Sequence, residues 1–110
     1  MVVFRSVSSP REVILKVTTD LIESNVAEFR AALYAELDQP EPRVLLDLSH
    51  VRSVNSAALG AILLVQKRAR EGGKELVIAK CSDELRKTLL AIRLDKIIEI
   101  AGETPPTFGA

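Results

Sequence analysis

Three polar residues, Asp47, His50 and Ser56, are the candidates for the catalytic centre of a small α/β enzyme. Asp47 stands at the end of a strand-like run, and open parallel sheets place their functional loops at the carboxyl ends of strands. His50 is the only histidine and therefore the only imidazole base. However, no pair of carboxylates stands beside a nucleophile, and neither a Gly-x-Ser-x-Gly nor a His-Glu-x-x-His motif is present. We therefore expect that the protein is not an enzyme and that His50 is an exposed turn residue. For Asp47 two interpretations stay open: a functional residue at the edge of the sheet, or a strand end that caps the next turn through Ser49.

Residue types that hold metals, nucleotides or disulfides are scarce. The single cysteine, Cys81, and the single histidine exclude an internal disulfide, a cysteine zinc cage and a histidine-only metal site. Gly60, Gly72 and Gly73 form neither a dinucleotide-binding signature nor a P-loop. Cys81 precedes a predicted helix, but a lone cysteine without a nearby histidine is more often inert packing. We expect no cofactor and no metal ion.

The composition is that of one ordinary domain with a single core. The chain has 110 residues, of which 47% are hydrophobic and 27% charged, and 15 Lys and Arg balance 15 Asp and Glu. Zero net charge and an aromatic content of 4%, with no tryptophan, argue against a nucleic-acid binder. No run approaches the roughly twenty apolar residues that span a bilayer, and residues 1–5 do not resemble a signal peptide. We expect a cytoplasmic protein without direct membrane insertion.

The apolar pattern predicts alternating strands and helices. Short apolar or β-branched runs predict strands at residues 4–7, 13–18, 43–48, 75–79 and 97–100. Helical spacing predicts helices at residues 25–37 and 57–71, and from 82 or 83 to 92. The order β-β-α-β-α-β-α-β implies an α/β fold: a mixed, mainly parallel sheet of four to five strands with helices packed on it. This domain is expected over residues 1–101, followed by a flexible tail over 102–110.

Local signals predict how the helices begin, end and face the core. Asn25 with Glu28 predicts a capping box on the first helix, and Gly72 with Gly73 closes the second. The predicted inner face of the second helix consists of Leu59, Ile62, Leu63 and Gln66. Its cationic end consists of Lys67, Arg68, Arg70 and Lys74. Cations near a helix C-terminus complement its dipole, and we interpret this end as structural.

One central stretch carries a family resemblance. Residues 44–64 read Val-Leu-Leu-Asp-Leu-Ser-His-Val-Arg-Ser-Val-Asn-Ser-Ala-Ala-Leu-Gly-Ala-Ile-Leu-Leu. They resemble the STAS domain, which sulfate transporters share with bacterial anti-sigma-factor antagonists. The family pattern is a strand ending in Asp-Leu-Ser, a short strand, and Asp-Ser-Ser/Thr-Gly-Leu-Gly opening a helix. The later stretches Gly-Gly-Lys-Glu-Leu-Val-Ile and Leu-Asp-Lys-Ile-Ile-Glu-Ile are also similar, so the resemblance extends from about residue 4 to residue 100.

The resemblance implies a regulatory protein–protein binding module. In the antagonists, the unphosphorylated protein binds an anti-sigma factor, which is a serine kinase, and thereby frees a sigma factor for transcription. The kinase inactivates the antagonist by phosphorylating a serine at the start of the helix. A phosphoserine adds roughly −1.5 to −2 charge where the partner docks. The helix N-terminus tolerates that charge, whereas the partner interface need not.

The chain departs from the family pattern at the switch. The motif Asp-Ser-Ser-Gly-Leu-Gly aligns with Asn55, Ser56, Ala57, Ala58, Leu59 and Gly60. The usual phosphoacceptor position is Ala57, which has no hydroxyl, and Ser56 is a weak substitute for it. The family's turn before the first helix aligns with residues 19–22, where a polar end residue is replaced by Ile22.

These departures predict a docking surface that phosphorylation does not control at the usual place. The predicted partner-binding residues are Asp20, Ile22, Asn55, Ser56, Ala57, Ala58, Leu59 and Gly60. Ile22 and the two alanines are expected to make this surface more apolar than usual. The structural alternative is that both alanines are simply good helix formers at a helix start.

The sequence leaves three alternatives open, two for the binding partner and one for an enzymatic function. The first is an anti-sigma factor or a similar serine kinase. The second is an ABC transporter subunit, since STAS domains also serve as accessory subunits of bacterial lipid-transport ABC systems and in signalling scaffolds. The enzyme built on Asp47, His50 and Ser56 is the third and weakest alternative.

Overall fold

A computed structural model describes residues 1–101, and the tail predicted over residues 102–110 lies outside this described part. The strands are β1 (Val3–Ser9), β2 (Glu12–Val17), β3 (Arg43–Leu48) and β4 (Glu75–Cys81). The helices are α1 (Val26–Glu36), α2 (Ser56–Glu71) and α3 (Asp83–Ala91), followed by a 3-10 turn at Leu94–Lys96.

The strands form one mixed sheet in chain order, β1-β2-β3-β4. β1 and β2 are an antiparallel hairpin, whereas β2 pairs with β3 and β3 with β4 in parallel. Parallel neighbours need a crossover connection, which α1 and α2 supply. The predicted α/β fold with a mixed, mainly parallel sheet and packed helices is therefore confirmed.

The core combines one face of the sheet with one stripe of each helix. Strand side chains alternate between the two faces of a sheet. The buried set on β2 and β3 follows this alternation: Val13, Leu15, Val17, Val44, Leu46 and Leu48. The helices bury against it Phe29, Leu33, Ile62, Val65, Leu85 and Leu89. As a result, Asp47 lies on the opposite face, where it is only half-buried.

The predicted last strand over residues 97–100 is wrong. Arg93 adopts a left-handed conformation with φ 62°, which ends α3 and turns the chain into the 3-10 turn. Ile98 then lies buried in the core, and the segment meets β4 only through a single parallel bridge between Ile78 and Ile100.

The predicted capping box on α1 is also wrong. The Asn25 side chain makes no cap bond to α1. Its amide oxygen accepts from the Ile22 backbone N–H, and its amide nitrogen donates to the Asp20 carbonyl. The Glu28 carboxylate accepts from the backbone N–H of Val2 instead. Asn25 therefore holds the preceding loop.

The inner face of α2 is rotated from the predicted one. Ile62 and Gln66 are buried as predicted, but Leu59 and Leu63 are half-buried at its margin. The full buried set is Ala58, Ala61, Ile62, Val65, Gln66 and Ala69. Three of these buried residues are alanines (Ala58, Ala61 and Ala69), and their small side chains allow α2 to lie close to the sheet and to α1.

Candidate functional site

The start of α2 is fixed by Asn55. Its side-chain oxygen accepts from the Ala58 backbone N–H at 2.8 Å, which satisfies one of the donors that every helix start leaves free. The asparagine that replaces the family's aspartate therefore caps the helix through an amide oxygen. No acidic side chain lies in the first turn of α2.

The loop at residues 20–22 lies directly beside the segment that leads into α2. The Leu21 N–H donates to the Ser53 carbonyl at 3.1 Å, and the Asn55 N–H donates to the Leu21 carbonyl at 3.0 Å. The two bonds form a short parallel bridge between Leu21 and Val54. Leu21 is buried and anchors this bridge in the core. The structure thus brings together the two stretches that the sequence analysis assigned to one surface.

Asp20 is half-buried, and its side chain bonds to backbone groups of this arrangement. Its carboxylate accepts from the backbone N–H of Arg52 at 2.7 Å and of Ser53 at 3.4 Å. Together with the two Asn25 bonds, these contacts hold the loop from both sides. Asp20 is therefore a positioning residue, and Asn25 is a second one that the sequence analysis placed in a helix cap.

The exposed members of the predicted partner-binding set are small or apolar, whereas the charged residues Glu23 and Arg52 are exposed in the loop segments beside them. Ile22 is 51% exposed, and Ser56, Ala57 and Gly60 are exposed on the first turns of α2. Leu59 is half-buried between them and the core.

Ala58 requires a correction. It is completely buried, because its position on the helix faces the same side as Ala61, Ile62 and Val65. The expectation that Ala58 adds apolar surface to the docking face is wrong, and only Ala57 of the two alanines is exposed.

Asp47 forms a local turn cap. Its Oδ1 accepts from the Ser49 N–H at 2.9 Å and from the Ser49 hydroxyl at 2.7 Å. His50 lies exposed next to it, with Nδ1 3.3 Å from the same hydroxyl. The Ser49 hydroxyl thus faces a carboxylate directly, without an imidazole between them, unlike the serine–histidine–aspartate arrangement of hydrolases. None of the described hydrogen bonds joins Ser56 to this group.

The electrostatics of Asp47 also differ from those of a general base. Burial raises its pKa, but the two hydrogen bonds from Ser49 and the nearby charges of Lys80 and Lys16 outweigh burial and lower the pKa below the ordinary value. A carboxylate with a lowered pKa is a weaker proton acceptor near neutral pH.

Residues 1–101 contain neither a cluster of metal ligands nor a helix suited to a membrane. No group of three or more His, Cys, Asp and Glu side chains within residues 1–101 is arranged to hold a metal ion. None of the helices in that same range has the length and apolar character that crossing a bilayer requires.

A family model described as "Mlab, STAS domain" matches residues 4–99 of this chain. The chain belongs to the STAS domain family. The resemblance that residues 44–64 carry is thereby confirmed, and the domain is similar to anti-sigma-factor antagonists.

The STAS domain also has similar solved structures and a curated relative. A Thermotoga maritima protein, described as a candidate anti-sigma factor antagonist, has a TM-score of 0.81 and 24% identity, over 92% of this chain and 86% of that one. An anti-sigma factor antagonist from Mycobacterium paratuberculosis has a TM-score of 0.79 and 14% identity, over 92% and 85%. BtrV of Bordetella bronchiseptica, named as a candidate anti-sigma factor antagonist, is 36% identical over 64 residues. That match spans 58% of this chain and 55% of BtrV, so it covers about half of the relative's length.

Proposed function

We propose that this STAS domain is a regulatory binding module of the anti-sigma-factor antagonist type, which binds a serine-kinase-like anti-sigma factor in the cytoplasm. The docking surface consists of Ile22, Ser56, Ala57, Leu59 and Gly60. The observation that carries the proposal is the bridge between Leu21 and Val54, which places exposed Ile22 beside the exposed start of α2. The similarity to BtrV supports the same type of partner.

None of the five residues of this docking surface is charged, so their own contribution to association is apolar contact. Ile22 is half exposed although it is a large apolar residue, and Ala57 presents only a methyl group. Burying the exposed part of an isoleucine contributes on the order of 1 kcal/mol at about 25 cal/mol per Å². Association costs must be offset by further contacts, so Ile22 alone does not determine the affinity.

The module binds its partner without the usual phosphoserine switch. Ala57 occupies the second position of α2 and lacks the hydroxyl that a kinase would need. In this proposal the domain behaves as permanently unphosphorylated at that position, and the partner is released by another route. The proposal assigns no catalytic role to Asp47, His50 or Ser56.

The partner is tested by affinity capture from the source organism with three baits: the wild-type chain, Ala57→Asp and Ala31→Asp. Ala31 is an exposed alanine in the middle of α1, which makes it a matched control. We expect one kinase-like protein to be enriched by the wild-type and Ala31→Asp baits and lost with Ala57→Asp, because the new charge would be buried against the partner. Equal capture by all three baits would contradict the docking surface. An ABC transporter ATPase in place of the kinase would favour the accessory-subunit alternative.

The missing switch is tested with the captured kinase and ATP. We expect intact-mass spectrometry to find no added phosphate on the wild-type chain and one added phosphate on Ala57→Ser. Stoichiometric phosphate on Ser56 of the wild-type chain would overturn this part of the proposal.

A further inference from the structure

We infer that the docking surface continues along α2 and that the partner covers it with an acidic amphipathic helix. This inference rests on the proposed function and specifies the chemistry of the partner. The surface concerned, here named the α2 strip, consists of Ala57, Gly60, Leu64, Lys67 and Arg68.

The α2 strip is one continuous face of the helix. From Ala57 to Lys67 its residues follow each other at spacings of three and four, and Arg68 lies four residues after Leu64. This spacing places all five on the same side of an α-helix. All five are exposed, whereas the opposite side of α2 carries the buried residues Ala61, Ile62 and Val65. At 1.5 Å per residue, the strip extends about 16 Å from Ala57 to Arg68. That length matches about three turns of a partner helix.

Gly60 gives the strip a place of close approach. Glycine is among the least favourable residues inside a helix. A Cβ built at Gly60 meets no other atom within 4 Å, so the packing of the domain itself does not require a glycine there. The missing side chain does, however, allow another backbone to come close to α2 from outside.

Leu64 supplies an apolar contact beyond Gly60. It is 39% exposed, and it is the large apolar residue of α2 that the fold leaves at the surface. Its position one turn after Gly60 and two turns after Ala57 makes the first half of the strip small and apolar.

The second half of the strip is cationic, which determines the charge of the partner. Among the ion pairs of the described residues, none involves Lys67 or Arg68. Glu71, the only acidic residue of α2, is exposed four residues after Lys67 and three after Arg68, and none of the ion pairs of the described residues joins it to either cation. By contrast, Arg86 on α3 pairs with Asp83, one turn earlier on the same helix. Two unpaired cations beside an apolar strip are complementary to an acidic amphipathic helix, which would set its direction on α2 as well as its affinity.

The charge of the partner is tested with Lys67→Glu, using Lys87→Glu on the exposed side of α3 as the matched control. The ligand is the kinase-like protein captured by the wild-type chain. We expect Lys67→Glu to weaken its binding by about tenfold or more and Lys87→Glu to leave it unchanged. Wild-type affinity should also fall with increasing salt, more steeply than that of Lys67→Glu. Equal affinities for both variants would overturn the inference.

The close approach is tested with Gly60→Gln, using Ala35→Gln on the exposed side of α1 as its control. Because the added side chain meets open space, Gly60→Gln should melt no lower than the wild type. We expect it nevertheless to weaken binding by about tenfold or more, while Ala35→Gln binds normally. Normal binding by Gly60→Gln would show that the partner does not cover this point.

Zero-length carbodiimide cross-linking identifies the acidic segment directly. The reagent adds to a carboxylate of the partner to form an O-acylisourea, and the Lys67 amine then attacks the acyl carbon, which forms the amide and releases the urea. We expect peptides that join Lys67 to an Asp or Glu in a predicted helix of the partner. Cross-links from Lys87 but none from Lys67 would contradict the inference that a partner covers the α2 strip.

The outcomes separate this inference from the proposed function. If Ala57→Asp abolishes binding but Lys67→Glu and Gly60→Gln do not, the docking surface stands and only its extension along the α2 strip is wrong. If the wild-type chain captures no partner, both the proposed function and the inference about the α2 strip are wrong.

Discussion

The two ends of the parallel strands are built by different interactions. At the carboxyl end, main-chain bonds between Leu21, Ser53 and Asn55 hold the loop that presents Ile22, and the side chains of Asp20 and Asn25 add bonds to backbone groups there. At the amino end, ion pairs between side chains join the elements: Arg5 binds Glu36 at 2.7 Å and Glu41 at 2.6 Å.

The difference determines which side chains are available to a partner. The two carboxylates that Arg5 binds are buried within the fold, since the side chains of Glu36 and Glu41 are only 5% and 10% exposed. The Lys74 ammonium also donates to the Glu41 carbonyl. At the carboxyl end the backbone holds the loop, so Ile22 and Ala57 remain free.

The largest expected effect comes from breaking the charged end. Arg5→Ala would leave the buried carboxylates of Glu36 and Glu41 without their cation, and because the Arg5 side chain is 35% exposed we expect a loss of about 2 kcal/mol in the free energy of unfolding. Arg43→Ala is the control, because Arg43 lies farther from its partners, 3.5 Å from Glu75 and 3.9 Å from Glu12, and these carboxylates are 55% and 32% exposed. Urea unfolding measures both variants, and the control should lose about 1 kcal/mol or less.

Partner binding sharpens the same comparison. Arg5→Ala should bind the captured kinase normally at a temperature where it is folded, because Arg5 does not contact the docking end. If Arg5→Ala lost binding under conditions where it is fully folded, the two ends of the strands would be coupled.

The next effect concerns the backbone support of the docking end. Asp20→Ala removes the acceptor of the Arg52 and Ser53 N–H groups. Water can replace these bonds, so we expect a loss of only about 1 kcal/mol in unfolding free energy but a clear loss of partner binding. Asp38→Ala, an exposed aspartate after α1, is the control and should change neither. Normal binding by Asp20→Ala would mean that the loop keeps its position without this carboxylate.

The Ala57→Asp substitution has a smaller effect on stability, and its sign is opposite to that of its effect on partner binding. Ala57→Asp places a negative charge in the first turn of α2, which carries none, and should raise the unfolding free energy by about 0.3–1 kcal/mol. Ala27→Asp puts the same charge at the second position of α1, whose first turn already contains Glu28, and should gain less. Thermal unfolding measures both. A destabilised Ala57→Asp would mean that its lost binding reports misfolding rather than docking.

The sequence predicted the fold well because its signals were local and repeated. The apolar run at residues 43–48 and the alternation in β2 identify strands by their period. The family motif likewise located the start of α2, since it fixes the order of neighbouring residues.

The unpredicted features depend on contacts between distant residues. Arg5 and Glu36 are 31 residues apart, and neither has a local signal that names the other. Asn25 has two possible local partners, and only the position of the loop decides against the helix cap. Ala57 and Ala58 have the same helix propensity, and leucines on two sides of α2 obscure which one faces the core.

The smallest expected effect is a pH dependence at Asp47, on the carboxyl end but outside the docking surface. Its pKa is lowered in the folded state, so its contribution to stability is present above the unfolded value of about 3.9 and is lost as pH falls through the folded value. Asp47→Asn should therefore lose less stability than the wild type when urea unfolding is repeated below about pH 4. Ser49→Ala removes the hydroxyl bond but keeps the backbone bond, and its acid loss should lie between the two. Identical acid profiles for all three chains would show that the Ser49 turn does not stabilise the Asp47 carboxylate.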